Sequence, residues 1–438
     1  MKKRLSLSIV SIVILFTVLL SACQPATSTT VEQETLADTT EEEEIEEVVE
    51  QVTITYATFS ANAGHEEDLA SLVAEFEAIH PNIKVETQIV AFDDYFNKLQ
   101  TMIAGDVAPD TYELNYENFV SYAEKGLLLD TTVLASNDAS FDVDIFYPRA
   151  LEAFQLDGMQ LALPETFSTV VLFYNKDLFD AAGLSYPTAD WTWDDVLVAA
   201  QAINDPENGV YGFYSPLQFN EFYKKAAQNN CSFFNEDKTE TLINSPECVE
   251  ALQTMSDFVN VYNVMPSEAD LGGSSNSDLF LAGKIAMDVT GIWMFSSFAD
   301  APFAWDIEIE PGMATHATHF FANGVGISST SEHPQESWEW IKFITSSPEV
   351  ANLRVEKGWE LPALSDPDYF TAYLEQTPPD NRQAVFDSLN YAIVPPVISR
   401  QSEMQDIIGN LLSQVDLGTL TPQEALDQAK VQVDELLK

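Results

Sequence analysis

The chain has 438 residues, 46% of them hydrophobic and 11% aromatic, and sets 70 acidic against 19 basic side chains for a formal net charge of −51. That balance speaks against nucleic acid and anionic lipid surfaces as partners, because phosphate binding needs clustered basic residues. The length exceeds what one compact core organises and predicts a folded part of two lobes.

Lys2, Lys3 and Arg4 precede an apolar run over residues 5–20. The run is about 16 residues, short of the ~20 that a helix needs to cross hydrocarbon. Residues 1–22 are therefore expected to be a signal peptide. The run ends in Leu20, Ser21, Ala22 and Cys23, which resembles the bacterial lipobox. The resemblance implies cleavage before Cys23 and lipidation of that cysteine. Acyl chains would then hold the protein on the outer face of the cell membrane at ~0.8 kcal/mol per buried methylene. Residues 23–51 lack aromatics, are rich in Thr and Glu, and carry the acidic run 41–44. Such a stretch buries too little apolar surface to offset chain entropy, and like charges extend it, so it reads as a tether.

In the folded part, Val52, Ile54 and Tyr56 alternate with threonines and predict a strand. Leu69, Leu72, Val73, Phe76 and Ile79 recur at helical spacing, and Pro81 stops that helix. Ile83 and Val85 begin a second strand. A strand, a helix and a strand make a βαβ unit of a parallel sheet. The scheme repeats: Tyr95, Leu99, Met102 and Ile103 share a helical face, Gly105 and Pro109 follow, and residues 111–114 form a short strand. The protein is thus α/β. Residues 170–174 read as a buried strand. Thr192 and Asp195 have capping-box spacing, with Leu197, Ala200, Gln201 and Ile203 continuing that helix. Residues 280–298 join a helix to a strand and then to a loop carrying Trp293. A short strand from 324 precedes a helix whose core face is Trp338, Ile341 and Phe343 or Ile344. Thr421 opens a last helix with Ala425, Leu426, Ala429, Val433 and Leu436 inward.

Cys231 and Cys248 remain after Cys23. Outside the cytoplasm such a pair is expected to form a disulfide, worth ~3 kcal/mol by loop closure, with two free buried thiols as the alternative. No HExxH, GxSxG or Walker loop is present. His316 and His319 stand at i, i+3, a spacing that suits metal ligands. No His or Cys cluster supplies the remaining ligands, so a loop role is expected and no metal or other cofactor is implied.

HPNIKVE (80–86), KLQTMIAGDVAPD (98–110) and YAEKGLLLD (122–130) lead a series of further motifs. The most specific is YNKDLFDAAGL (174–184) followed by WTWDDVLVAAQ (191–201); GKIAMDVTGIW (283–293), ESWEWIKFITSSPE (336–349), ELPAL (360–364) and TPQEAL (421–426) complete the series. In this joint order they resemble the extracellular solute-binding proteins of ABC importers, in the sugar-binding, maltose-binding-protein-like branch. The resemblance implies a two-lobed type II fold with the ligand cleft between the lobes. Three crossings are implied near 165–171, 321–325 and 360–364. Residues 52–166 with 324–358 would form lobe 1, and 167–323 with 359–438 lobe 2. It further implies a monomer that captures a solute by closure and hands it to a permease, making and breaking no bond, and so is not an enzyme.

A sugar offers hydroxyls to Asp, Glu, Asn, Gln and Arg, and C–H faces to aromatic rings. On the family's site segments this marks Phe59, Ser60 and Glu66 after the first strand, and Asn115, Tyr116, Glu117 and Asn118 after the third. Thr166 and Ser168 mark the first crossing, Phe321 and Asn323 the second, and Trp359 the third. Trp293 is the leading stacking residue. Phe219, Phe321 and Trp359 suit the site or the core equally. Leu114 stands where the family's maltose-binding branch has a tryptophan, Asn118 where it has an arginine, and Ser168 where it has an acid. These departures point away from maltodextrin. Rival readings are the same fold holding a polyamine or other non-sugar solute, through carboxylates and cation–π contact, or a surface glycoside hydrolase using one of many carboxylate pairs.

Overall fold

A computed structural model describes residues 51–62 and 64–438. The signal peptide 1–22, Cys23 and the tether up to residue 50 lie outside the described residues.

The alternation after residue 51 forms β1 (Val52–Thr58). The Glu66–Ile79 helix follows and buries Leu69, Leu72 and Phe76, one apolar stripe at helical spacing. Ile79, expected on that stripe, is 58% exposed because the helix ends there. The chain returns as β2 (Ile83–Ile89), parallel to β1 with Ile83 opposite Val52. After the Phe92–Ala104 helix comes β3 (Thr111–Asn115), parallel to β1 on its other side. A small hairpin, β4 (Gln155–Leu156) and β5 (Met159–Gln160), precedes the longest strand, β6 (Ala162–Asn175).

All 14 residues of β6 are buried, where the sequence predicts a strand only over 170–174. β7 (Met287–Gly291), β8 (Trp305–Ile309), β9 (Thr318–Ile327), β10 (Leu361–Pro362) and β11 (Ala392–Ile393) complete the set. The sheet runs β10-β6-β9-β3-β1-β2. Along residues 162–169, β6 pairs antiparallel with β9, and from Val170 onward it takes β7 and β8 instead. β6 therefore carries the chain from one group of strands into another, and β9 and β10 lie on either side of it where it does so.

The core follows this division. One apolar cluster joins β1, the Glu66–Ile79 helix and the Pro334–Ser346 helix, where Trp338, Trp340 and Ile341 are fully buried. A second gathers β7 and the second half of β6 with the Trp193–Ile203, Phe219–Gln228 and Pro246–Asn260 helices, and with the two last helices, Gln401–Asp416 and Pro422–Leu436. A third runs between them through Phe154, Phe167, Phe173 and Trp305. Thr192 with Asp195 and Thr421 with Glu424 make complete capping boxes. Cys231 and Cys248 are joined by a disulfide with Cα atoms 5.1 Å apart. The expected loop at Trp293 is a tight 3-10 turn, Ile292–Met294.

Candidate ligand-binding site

Strand register assembles the floor. Thr166 lies opposite Asn323 and Pro362, Asn323 opposite Asn115, and Ser168 opposite Phe321. Side chains alternate along strands, so Thr166, Ser168, Phe321, Asn323 and Asn115 share one face. The other face carries Phe167 and Phe320, stacked at 6.1 Å, with Tyr147 edge-on to Phe167 at 5.5 Å. One face is thus polar and the other is core.

Asn115 ends β3 and caps the Tyr116–Glu124 helix, accepting from Asn118 N at 3.2 Å and Asn118 Nδ2 at 2.8 Å. The cap fixes where Tyr116, Glu117 and Asn118 enter the site. Glu360, just before β10, accepts from Thr166 Oγ1 at 2.8 Å and Asn323 Nδ2 at 2.9 Å. One carboxylate therefore ties together the three segments 165–171, 321–325 and 360–364. Beneath it, Glu113 Oε2 accepts from Thr58 Oγ1, Phe59 N and Ser60 N at 2.6, 3.0 and 3.1 Å. Glu165 pairs with the buried Arg354. Burial, helped by the charges of Glu165 and Glu360, pushes the Glu113 carboxyl up to about 8. Burial also raises Glu165, against the pull of Arg354.

An aromatic wall faces this floor. Trp293 is 42% exposed, the only tryptophan among the large exposed apolar side chains of the described residues. Gly291 seats it: a Cβ there would lie 1.9 Å from the indole ring. Phe321 meets Trp293 edge-on, with centroids 5.1 Å apart. His319 stacks on Phe321 at 3.5 Å and touches Tyr223 edge-on at 5.4 Å. His319 Nε2 lies 3.3 Å from Glu117 Oε1. Beside Tyr116 a groove of about 640 Å³ opens, lined also by Arg149, Lys238, Val394 and Val397.

Three expected aromatics belong elsewhere. Phe59 is packed among Phe92, Tyr95 and Phe96 and is a core ring, not a cleft edge. Phe219 packs on Tyr223 and Phe233 in the second cluster. Trp359 is buried with His65 stacked on it at 4.7 Å and the Arg354 guanidinium at 4.1 Å, and its indole N–H donates to Ser60 O. Ser60 stays half-buried beside it. Glu66 is exposed at its helix start and accepts from Gly64 N at 3.2 Å. Thr166, Ser168 and Asn323 are on the floor but buried, the first and last with their donors held by Glu360. His319 is a strand residue of the site, not the loop residue expected. Glu113, Glu360 and Tyr223 join the site unannounced by the sequence. Among the described residues no group of three or more His, Cys, Asp and Glu is placed to hold a metal ion, and no helix is long and apolar enough to cross a membrane.

Against known proteins, the profile of the bacterial extracellular solute-binding protein family matches residues 62–351, more than half of the chain. An ABC substrate-binding protein from Listeria monocytogenes, solved in complex with cycloalternan, is 47% identical over 89% of this chain and 99% of its own, with a TM-score of 0.85. A putative binding protein of Brucella abortus is 25% identical over 89% of this chain and 93% of its own length. The maltotriose-binding protein of Pyrococcus abyssi is 26% identical over 68% of this chain and 63% of its own. The chain belongs to the bacterial extracellular solute-binding protein family, whose fold is the two-lobed α/β fold of maltose-binding proteins.

Proposed function

We propose that the chain captures an oligosaccharide related to cycloalternan between two lobes and delivers it to the permease of an ABC importer. The observation that carries this reading is the 47% identity, across nearly the whole of both chains, to a protein solved with cycloalternan. The site chemistry supports it. Trp293 and Phe321 offer apolar faces for sugar C–H groups, while Glu117, Asn118 and Asn115 offer donors and acceptors for hydroxyls.

The lobes are residues 52–166 with 324–358, and 167–323 with 359–438. The ligand favours the closed arrangement only as far as it binds it better than the open one. The sugar leaves unchanged, so the protein has no catalytic role. It works as a monomer, held to the outer membrane face through lipid on Cys23 once residues 1–22 are removed. Cys23→Ser should release it into the medium.

A thermal-shift panel on residues 52–438 tests the cargo. Cycloalternan should stabilise the protein by ~2.7 kcal/mol at a hundredfold excess over its Kd. A shift with spermidine and with none of the cyclic or linear saccharides would overturn the sugar.

A further inference from the structure

We propose that His319 is a positioning residue of the ligand site: it backs Phe321 and lies against the Glu117 carboxylate, and on taking a proton it draws that carboxylate away from the sugar. This rests on the sugar-binding reading above.

His319 is the second residue of β9, and the two residues that follow it, Phe320 and Phe321, are both aromatic. Its side chain is buried, yet neither ring nitrogen completes a hydrogen bond. A phenylalanine would fill the same space without that cost, since a buried polar atom left unpaired is unfavourable. The imidazole is instead aimed at a ligand-site carboxylate: Nε2 lies 3.3 Å from Glu117 Oε1. It also sets the ring that faces Trp293, because it stacks on Phe321 at 3.5 Å. One side chain thus touches the polar wall and the aromatic wall together.

The charged and titratable groups around it come from three sides. Glu117 and Tyr116 belong to the Tyr116–Glu124 helix, Tyr223 and Lys224 to the Phe219–Gln228 helix, and Glu310 follows β8. The flanking β11 brings only Ala392 and Ile393. Burial holds the His319 midpoint below the ordinary histidine range, with Lys224 adding to this and Glu117 and Glu310 opposing it. At neutral pH the ring is therefore uncharged, and the Glu117 side chain, 7% exposed, keeps that edge of its carboxylate for a sugar hydroxyl. On acidification the imidazolium pairs with Glu117, and the sugar must compete with it.

The test titrates cycloalternan calorimetrically from pH 8 to pH 5 into the wild type and His319→Gln. Wild-type affinity should be level above pH 7 and fall about tenfold by pH 5, the equivalent of 1.4 kcal/mol. His319→Gln, which loses the ring behind Phe321, should bind more weakly than wild type at pH 7.5 and show no further fall as the pH drops. An equal fall in both proteins would overturn the proposal. An NMR titration of the His319 ring needs no ligand. Glu117→Gln should lower its midpoint, and an unchanged midpoint overturns the pairing whatever the cargo. If the midpoint moves but the wild type binds no sugar at pH 7.5, the cargo reading fails and the positioning role fails with it.

Discussion

Lys224 sits between two carboxylates, Glu221 and Glu310, each 2.9 Å from its ammonium, while beneath the candidate site three glutamates, Glu113, Glu165 and Glu360, feel one another's charge and Arg354 pairs with Glu165. Lys225, buried over the Trp193 ring, has its ammonium pushed well below the usual lysine range by that burial, while Ser215, Gln228 and Thr318 donate to the two carboxylates of the first cluster. Among the described residues, none of its side-chain atoms is left buried and unpartnered. In the second, Glu113 Oε1, Glu165 Oε2 and two nitrogens of Arg354 have no partner. The difference separates two uses of buried charge. A matched cluster holds helix and strand together, whereas an excess of acid can be accommodated only by keeping a proton. The unmatched cluster is the one that reaches the ligand floor, through Glu360.

Breaking the matched cluster should give the largest effect. Lys224→Met leaves two buried carboxylates without their cation, at about 3–5 kcal/mol in denaturant unfolding. A loss below ~1 kcal/mol would show that water reaches the site. Next comes Glu113. Its folded midpoint, about 8, lies above the ordinary carboxyl value, so the folded state binds more protons than the unfolded one between pH 4.5 and 8. Its contribution is fully present below that window and is lost as pH rises through it, by up to about 1.4 kcal/mol per pH unit. Glu113→Gln should flatten this part of the stability profile, and an unchanged slope would assign the proton elsewhere. Glu360→Gln should act least. It keeps an acceptor for Thr166 and Asn323 but removes one of the charges that raise Glu113, so the midpoint in the pH profile should move down.

Much of this arrangement was legible in the sequence. The βαβ start and the capping boxes follow from spacing and turn residues, and the two-lobed α/β fold from the family resemblance. The faces of the crossing strands were harder. β6 is buried along its whole length, so no polar–apolar alternation told Phe167 from Thr166 or Ser168. The same burial hid His319, which the HATH motif suggested only as a loop residue or metal ligand. Phe59, Phe219 and Trp359 stand next to site segments in sequence, but sequence proximity does not say whether a ring turns to the cleft or to the core. Trp293 reaches solvent because Gly291 gives its indole room, a contact visible only in three dimensions. Met404, Ile408, Leu411 and Leu412 of the Gln401–Asp416 helix stand at helical spacing and are buried together.

The central claim is that Trp293 is the face on which the sugar rests. Calorimetric titration of cycloalternan into Trp293→Ala and wild type, with circular dichroism to confirm the fold, tests it most directly. The account predicts a loss of at least ~2 kcal/mol of binding free energy, about thirtyfold in Kd, for removal of an aromatic anchor. Wild-type affinity in a folded Trp293→Ala protein would contradict it.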